Sequence, residues 1–230
     1  MTITDNLLAL WRNIRLLISA RLLPPKFWRP ALQLAAFYQT VDRRLAGLRA
    51  ASGIRCAPGC GRCCENVYAE TSVLEMLPLA AVLVRRRRVD LWLNALRRRP
   101  AEGRCIFYRR SLAGDGRGRC TIYVLRPLIC RLFGFAAKRR RGGGEVITCR
   151  VIRTAYPVQL KTANHLVNEG TAGIFADQAR AGLTRIDESL ARRLGPLPQT
   201  LYQAITLIGL WRQMHRHQRT RCKAGFGGDL

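Results

Sequence analysis

Lysine is nearly absent from this 230-residue chain: Lys26, Lys138, Lys161 and Lys223 stand against 36 arginines. Histidine is as scarce, with three, all beyond residue 164. The first two-thirds of the chain therefore have no imidazole for metal ligation or acid–base work. Acidic residues number 14 against 40 basic ones, giving a formal charge of +26. No charge-free apolar run approaches the ~18 residues of a membrane span. The longest candidates, Ser72–Val84 and Gln199–Trp211, are shorter, and the first contains Glu75. A dinucleotide-type glycine fingerprint and a phosphate loop are both missing. The first residues lack a leading basic region and place Arg12 and Arg15 inside the apolar stretch, so a cleaved signal peptide is not expected. These absences predict a cytoplasmic protein, whose thiols stay reduced.

What is present is a globular composition, 48% hydrophobic and 23% charged, with nine cysteines. That count is too thin for a disulfide scaffold, but its distribution is informative. Residues 1–55 contain no cysteine, residues 56–149 contain eight, and residues 150–230 contain Cys222 alone. We take these as three units: N-terminal amphipathic helices, a cysteine-rich metal-binding domain, and a C-terminal helical region. The fold class expected is α+β and mostly α, a small core with short hairpins flanked by helices.

In the first unit, Leu7, Trp11, Ile14, Ile18 and Leu22 recur at helical spacing up to Pro24-Pro25. Such a basic amphipathic helix permits peripheral membrane contact, though a core-facing helix is the commoner use. A second helix is expected from about Pro30 to Ala51, with Leu34, Tyr38, Val41, Leu45 and Leu48 on one face and Ser52-Gly53 ending it. Ser72 and Glu75 form a capping-box pattern that predicts a helix from about Val73, and another helix is expected over Leu91–Arg98. Cys105–Leu112 reads as a strand followed by a turn. Phe133–Ala137 and Glu145–Cys149 read as a second hairpin around a basic glycine-rich loop at residues 138–144. Helices are expected over Tyr156–Val167 and Ile174–Leu194. A last one carries Leu201, Ile205, Ile208 and Trp211, with fraying from His215 onward.

The strongest signal is Cys56-Ala-Pro-Gly-Cys60-Gly-Arg-Cys63-Cys64. Pro58, Gly59 and Gly61 let the backbone turn sharply, so several sulfurs can converge. Cys105, Cys120, Cys130 and Cys149 follow at gaps of 14, 9 and 18 residues, and the fold must gather them. Thiolates in such number suit zinc or an iron–sulfur cluster. Adjacent side chains point in different directions, so Cys63 and Cys64 are expected to serve different purposes. Either two centres share the eight thiols, or one of the pair is unligated, redox-active or in a different shell. Arg126 and Arg131 flank Cys130 and can offset thiolate charge, Pro127 suits the first turn of a helix presenting Cys130, and Tyr123 packs or hydrogen-bonds nearby.

The cysteine cluster, Cys105-Ile-Phe, and the run Cys120-Thr-Ile-Tyr-Val-Leu-Arg-Pro-Leu-Ile-Cys130-Arg-Leu-Phe133 resemble the YkgJ-type cysteine-cluster (CxxCxxCC) family. The resemblance covers about Cys56–Cys149. Its first gap is three residues here rather than two, which bears on Cys56 more than on Cys60, Cys63 and Cys64. The resemblance implies a domain chelating zinc or iron through Cys56, Cys60, Cys63, Cys64, Cys105, Cys120, Cys130 and Cys149. Flagellin lysine-methylating proteins are similar in this domain, so an iron–sulfur-dependent methylation or redox enzyme is an alternative. Glu65 is then the carboxylate nearest the cluster. A third reading, an RNA- or ribosome-associated basic protein, rests on arginine content and the Phe107-Tyr108-Arg109-Arg110 run.

Overall fold

The computed structural model describes residue 18 and residues 22–57, 59–65, 69–86, 89–97, 104–111 and 117–224, with side chains described as far as 214 and not at 95–97. The expected N-terminal amphipathic helix lies outside these residues apart from Ile18 and Leu22.

Helix α1 spans Trp28–Ser52 and buries Leu34, Tyr38, Val41, Leu45 and Leu48, the face the periodicity predicts. It stops at Gly53, whose φ of 80° turns its N–H back onto the Arg49 carbonyl at 2.9 Å. After the cysteine loop, strand β1 (Glu70–Ser72) leads into α2 (Val73–Arg85) through a complete capping box between Ser72 and Glu75. Helix α2 is buried on nearly every side, Glu75 included. A helix that is apolar all round belongs in the middle of a bundle, and α2 packs between α1 and the last helix.

Helix α3 (Val89–Arg97) precedes the hairpin of β2 (Tyr108–Arg110) and β3 (Gly118–Cys120). Cys105–Phe107, expected as strand, instead forms the turn into β2. Helix α4 (Leu128–Leu132) starts one residue after Pro127, so the proline is the cap rather than the first helical residue. A second hairpin joins β4 (Ala137–Arg140) to β5 (Gly143–Val146), in register from Ala137↔Val146 to Arg140↔Gly143. Its strands therefore include most of the residues expected to form a loop. The reason lies in the helices that follow: α5 (Arg150–Ala155) and α6 (Pro157–Asn168). Asn168 of α6 accepts from the Gly144 N–H and donates to its carbonyl, and Asn164 accepts from the Val146 N–H. A Cβ on Gly144 would stand 2.8 Å from Val167 and 2.9 Å from Phe175, so glycine here permits close packing.

The single helix expected over Ile174–Leu194 is divided. Helix α7 (Ala176–Ile186) ends at Asp187, whose carboxylate caps the short α8 (Glu188–Ala191) through the Leu190 N–H. Leu194 then enters β6 (Leu194–Pro196), which pairs antiparallel with β1. That pairing ties the start of α2 to the start of α9 (Leu197–Ala224), where Thr71 and Thr200 share a buried hydrogen bond. Leu201, Ile205 and Ile208 of α9 are buried as expected, and the helix continues past His215, where fraying was expected.

The larger core joins α1, α2, α4 and α7–α9. A smaller one contains Leu48, Ile54, Ala137, Val146, Ala163 and Val167, beneath the β4–β5 hairpin. The fold is α+β and mostly helical, with three two-stranded antiparallel sheets among the described residues. No helix among them is long and apolar enough to cross a membrane.

Candidate metal centre

The cysteine loop leaves the end of α1 and turns through Gly59 and Gly61, at φ 68° and 61°. A Cβ on Gly61 would stand 2.5 Å from the Tyr108 ring and 3.1 Å from the Gly118 carbonyl. Only glycine lets the loop approach the β2–β3 hairpin so closely. Two backbone hydrogen bonds stitch it there: Gly118 N–H to the Gly59 carbonyl at 2.9 Å, and Cys105 N–H to the Cys64 carbonyl at 2.9 Å. Cys63 and Cys64 then sit in a short 3-10 turn, Arg62–Cys64.

The sulfurs of Cys63 and Cys64 are 4.0 Å apart. The Cys64 thiol also reaches Cys105 and Cys120. Hydrogen bonding among these sulfurs and burial hold the Cys64 thiol well above the ordinary thiol range. The contact with Cys64 lowers Cys63 to about 6, with Arg126 adding to it and burial opposing. Cys105 is lowered to about 7 by Cys64 and by the Phe107 and Tyr108 N–H groups. Cys120 is lowered by Cys64, the Ile122 N–H and Arg126. Burial pushes Cys130 up to about 12, reinforced by Cys105 and Cys120 and opposed by Arg126. Burial likewise pushes Cys56 up to about 11, with Cys60, Cys63 and Cys149 adding to it. The Cys149 sulfur caps α5, accepting from the Ile152 N–H at 3.5 Å. All eight thiols are free of disulfides.

The two flanking arginines have different partners. Arg131 is buried and donates to Asp42 at 2.6 Å and to the Val124 and Arg126 carbonyls at 2.7 and 3.1 Å. Its guanidinium also lies 4.1 Å from the Tyr38 ring centroid. Arg126 stacks on the exposed Tyr123 ring at 4.1 Å, and its charge favours the thiolates of Cys63, Cys120 and Cys130. Glu65 is ion-paired with Arg62 at 3.4 Å and Arg110 at 3.7 Å, and accepts from the Tyr108 hydroxyl at 3.4 Å.

Two residues that position the site were not legible as such. Glu75 caps α2, but it also accepts from the Leu128 N–H at 2.6 Å and the Tyr38 hydroxyl at 3.1 Å, fixing the start of the helix that bears Cys130. Asp42 anchors Arg131 of the same helix. The available signal was a lone acid in each apolar pattern, Asp42 beside Val41 and Glu75 within Val73–Val84.

The donor set fits a thiophilic ion. It is built of thiols, and the described histidine, His165, pairs with Glu169 on α6 instead. The Nε of Arg126 is buried without a hydrogen-bond partner, a cationic donor left for an anionic centre. Among the described residues no group of three or more His, Cys, Asp or Glu side chains is closed on a common point at coordinating separation. The thiols are gathered rather than locked.

Residues 55–150 match the model of the CxxCxxCC family, described as a proposed zinc- or iron-chelating domain. No curated protein and no solved structure matches the chain.

Proposed function

We propose that this CxxCxxCC segment is a thiolate metal centre. In it Cys56, Cys60, Cys63, Cys64, Cys105, Cys120, Cys130 and Cys149 hold zinc or iron, an iron–sulfur cluster included. The observation that carries the reading is the meeting of cysteines from separate segments. The Cys63 and Cys64 sulfurs lie 4.0 Å apart, the Cys64 carbonyl accepts from the Cys105 N–H at 2.9 Å, and Cys105 leads into the hairpin whose other strand ends at Cys120. Thiolates brought together in this way favour a soft cation. Zinc would cross-link these elements, and an iron–sulfur cluster would add electron transfer.

The chain's own residues hold the sulfurs in place. Gly61 brings the loop against the hairpin, Glu75 and Arg131 fix the Cys130 helix, and Arg126 offsets thiolate charge. Metal binding, structural or for metal handling, is favoured over catalysis because the nearest carboxylate, Glu65, is engaged by Arg62, Arg110 and Tyr108. Elemental analysis after anaerobic purification tests the reading. Zinc or iron at one or more ions per chain is expected, falling in Cys60→Ser and Cys130→Ser. Metal content unchanged by both substitutions would refute the assignment.

A further inference from the structure

We propose that the outer face of the β2–β3 hairpin binds single-stranded nucleic acid through its phosphates, with Arg109 and Arg119 as the paired contacts. The inference goes beyond the metal-centre reading and does not depend on it.

Register sets the two arginines side by side. Arg109 lies directly opposite Arg119, between the pairs Tyr108↔Cys120 and Arg110↔Gly118. The ladder continues at both ends: the Ser111 N–H donates to the Arg117 carbonyl at 2.8 Å, and the Thr121 N–H to the Phe107 carbonyl at 2.9 Å. Bonds at these alternate positions make Arg109 and Arg119 a hydrogen-bonded pair, whose Cα atoms stand about 5.5 Å apart. Side chains alternate between the two faces of a strand. Arg109, Ser111, Arg117, Arg119 and Thr121 therefore share the outer face, and Tyr108, Arg110, Gly118 and Cys120 share the inner one.

The two faces differ in how their charge is compensated. The inner face turns toward the cysteine loop, where Tyr108 lies against Gly61 and Glu65 meets both the Tyr108 hydroxyl and Arg110. On the outer face Arg109 and Arg119 are both exposed, and neither has an ion-pair partner among the described residues. Like charges directly opposite each other destabilise a ladder, and an anion bridging them removes that cost. Guanidinium forks hold phosphate oxygens bidentately, which suits a phosphodiester. Phe107, also on this face, is fully buried with its ring centroid 4.9 Å from that of Trp92. The hairpin is thus rooted in the larger core, and the arginines stand just beyond it on a rigid base. Their same-face neighbours Ser111 and Thr121 are polar, so this face has no exposed apolar side chain to enter a lipid surface. Three residues a strand, about 10 Å, give a row of phosphate contacts for a single strand that bends to meet them.

The test titrates the full chain, as purified, into labelled oligouridine and oligothymidine, with anisotropy read across a series of salt concentrations. Affinity that falls with salt is expected in at least one arm, and the tighter arm tells RNA from DNA. Arg109→Ala combined with Arg119→Ala should weaken binding at least about tenfold. It should also reduce the slope of log affinity on log salt by about 1.4, two phosphate contacts at about 0.7 each. Arg29→Ala with Arg44→Ala removes the same charge from exposed positions on α1 and should leave both nearly unchanged. Arg119→Glu supplies a second readout: it places opposite charges across the ladder, so Tm of the free protein should rise by about 1–4 °C while binding is lost. Equal losses in the α1 variant, binding to neither oligonucleotide, uptake on phosphatidylserine vesicles alone, or a lower Tm in Arg119→Glu overturns the proposal.

Discussion

Replacing Asp42 with alanine isolates the contact that holds the Cys130 helix to the body of the protein. Arg131 is 3% exposed, and its guanidinium spans Asp42 on α1, two carbonyls just ahead of α4, and the Tyr38 ring. Without Asp42 a buried cation keeps its two carbonyls but loses its counter-charge. Breaking a buried pair from one side costs about 3–5 kcal/mol. The Asp42 side chain is 28% exposed, so water compensates in part and the expected loss is about 2–3 kcal/mol. For a chain of this size each kcal/mol lowers Tm by about 2–4 °C, so the melting point should fall by roughly 4–12 °C. The assay is urea and thermal unfolding by circular dichroism on metal-free protein, so that metal loss is not counted as unfolding. The pair Asp42→Leu with Arg131→Met removes both charges and should regain most of the loss. A change below about 0.5 kcal/mol in Asp42→Ala would show that Arg131 does not depend on Asp42, and the reasoning would fail.

Three further outcomes follow from the site. Arg126→Gln removes the guanidinium that favours the Cys63, Cys120 and Cys130 thiolates, and should weaken zinc binding roughly tenfold in chelator competition, with Tm of the metal-free protein little changed. Gly61→Ala combines a left-handed backbone with a Cβ 2.5 Å from Tyr108, and should destabilise the protein by about 2–4 kcal/mol in urea unfolding. Metal affinity should rise with pH: Cys130 at about 12 and Cys56 at about 11 are protonated at neutral pH, and each must release its proton to bind. Calorimetry in buffers of differing ionisation enthalpy should report that release, and an affinity independent of pH between 6 and 8 would contradict it.

The elements easiest to see in the sequence were those whose signal is local. The α1 face and the Ser72–Glu75 cap need only periodicity and one side-chain reach, and both stand as expected. The β1–β6 pair joins segments over a hundred residues apart through three residues a side, and Gly195-Pro196 reads locally only as a break. The 138–144 run fails for the opposite reason. Its glycines look like flexibility, yet Gly144 makes room for Val167 and Phe175 and Gly143 for Asn168, while Asn164 and Asn168 satisfy the strand edge. At the site, spacing alone singled out the thiols as candidate ligands, because four cysteines in nine residues have few other uses. Their neighbours were not legible, since Glu75 and Asp42 meet α4 only through tertiary packing.

Charge gives the last step. The excess of arginine suggests a surface for nucleic acid, but six of the described arginines of the cysteine zone have specific engagements. Arg139 pairs with Asp177 and lies over Phe175, Arg140 pairs with Glu145, Arg62 and Arg110 meet Glu65, and Arg131 meets Asp42. Arg126 differs. It is partly buried, braced by Tyr123, and its Nε lacks an acceptor. A buried donor left unsatisfied costs about 1–3 kcal/mol, and a loaded thiolate site would supply the acceptor it lacks. On the proposed reading, thiolates around a divalent ion would leave net negative charge beside Cys63, Cys120 and Cys130, the sulfurs that Arg126 favours as thiolates. Arg126 is therefore the arginine whose hydrogen bonding metal loading would complete.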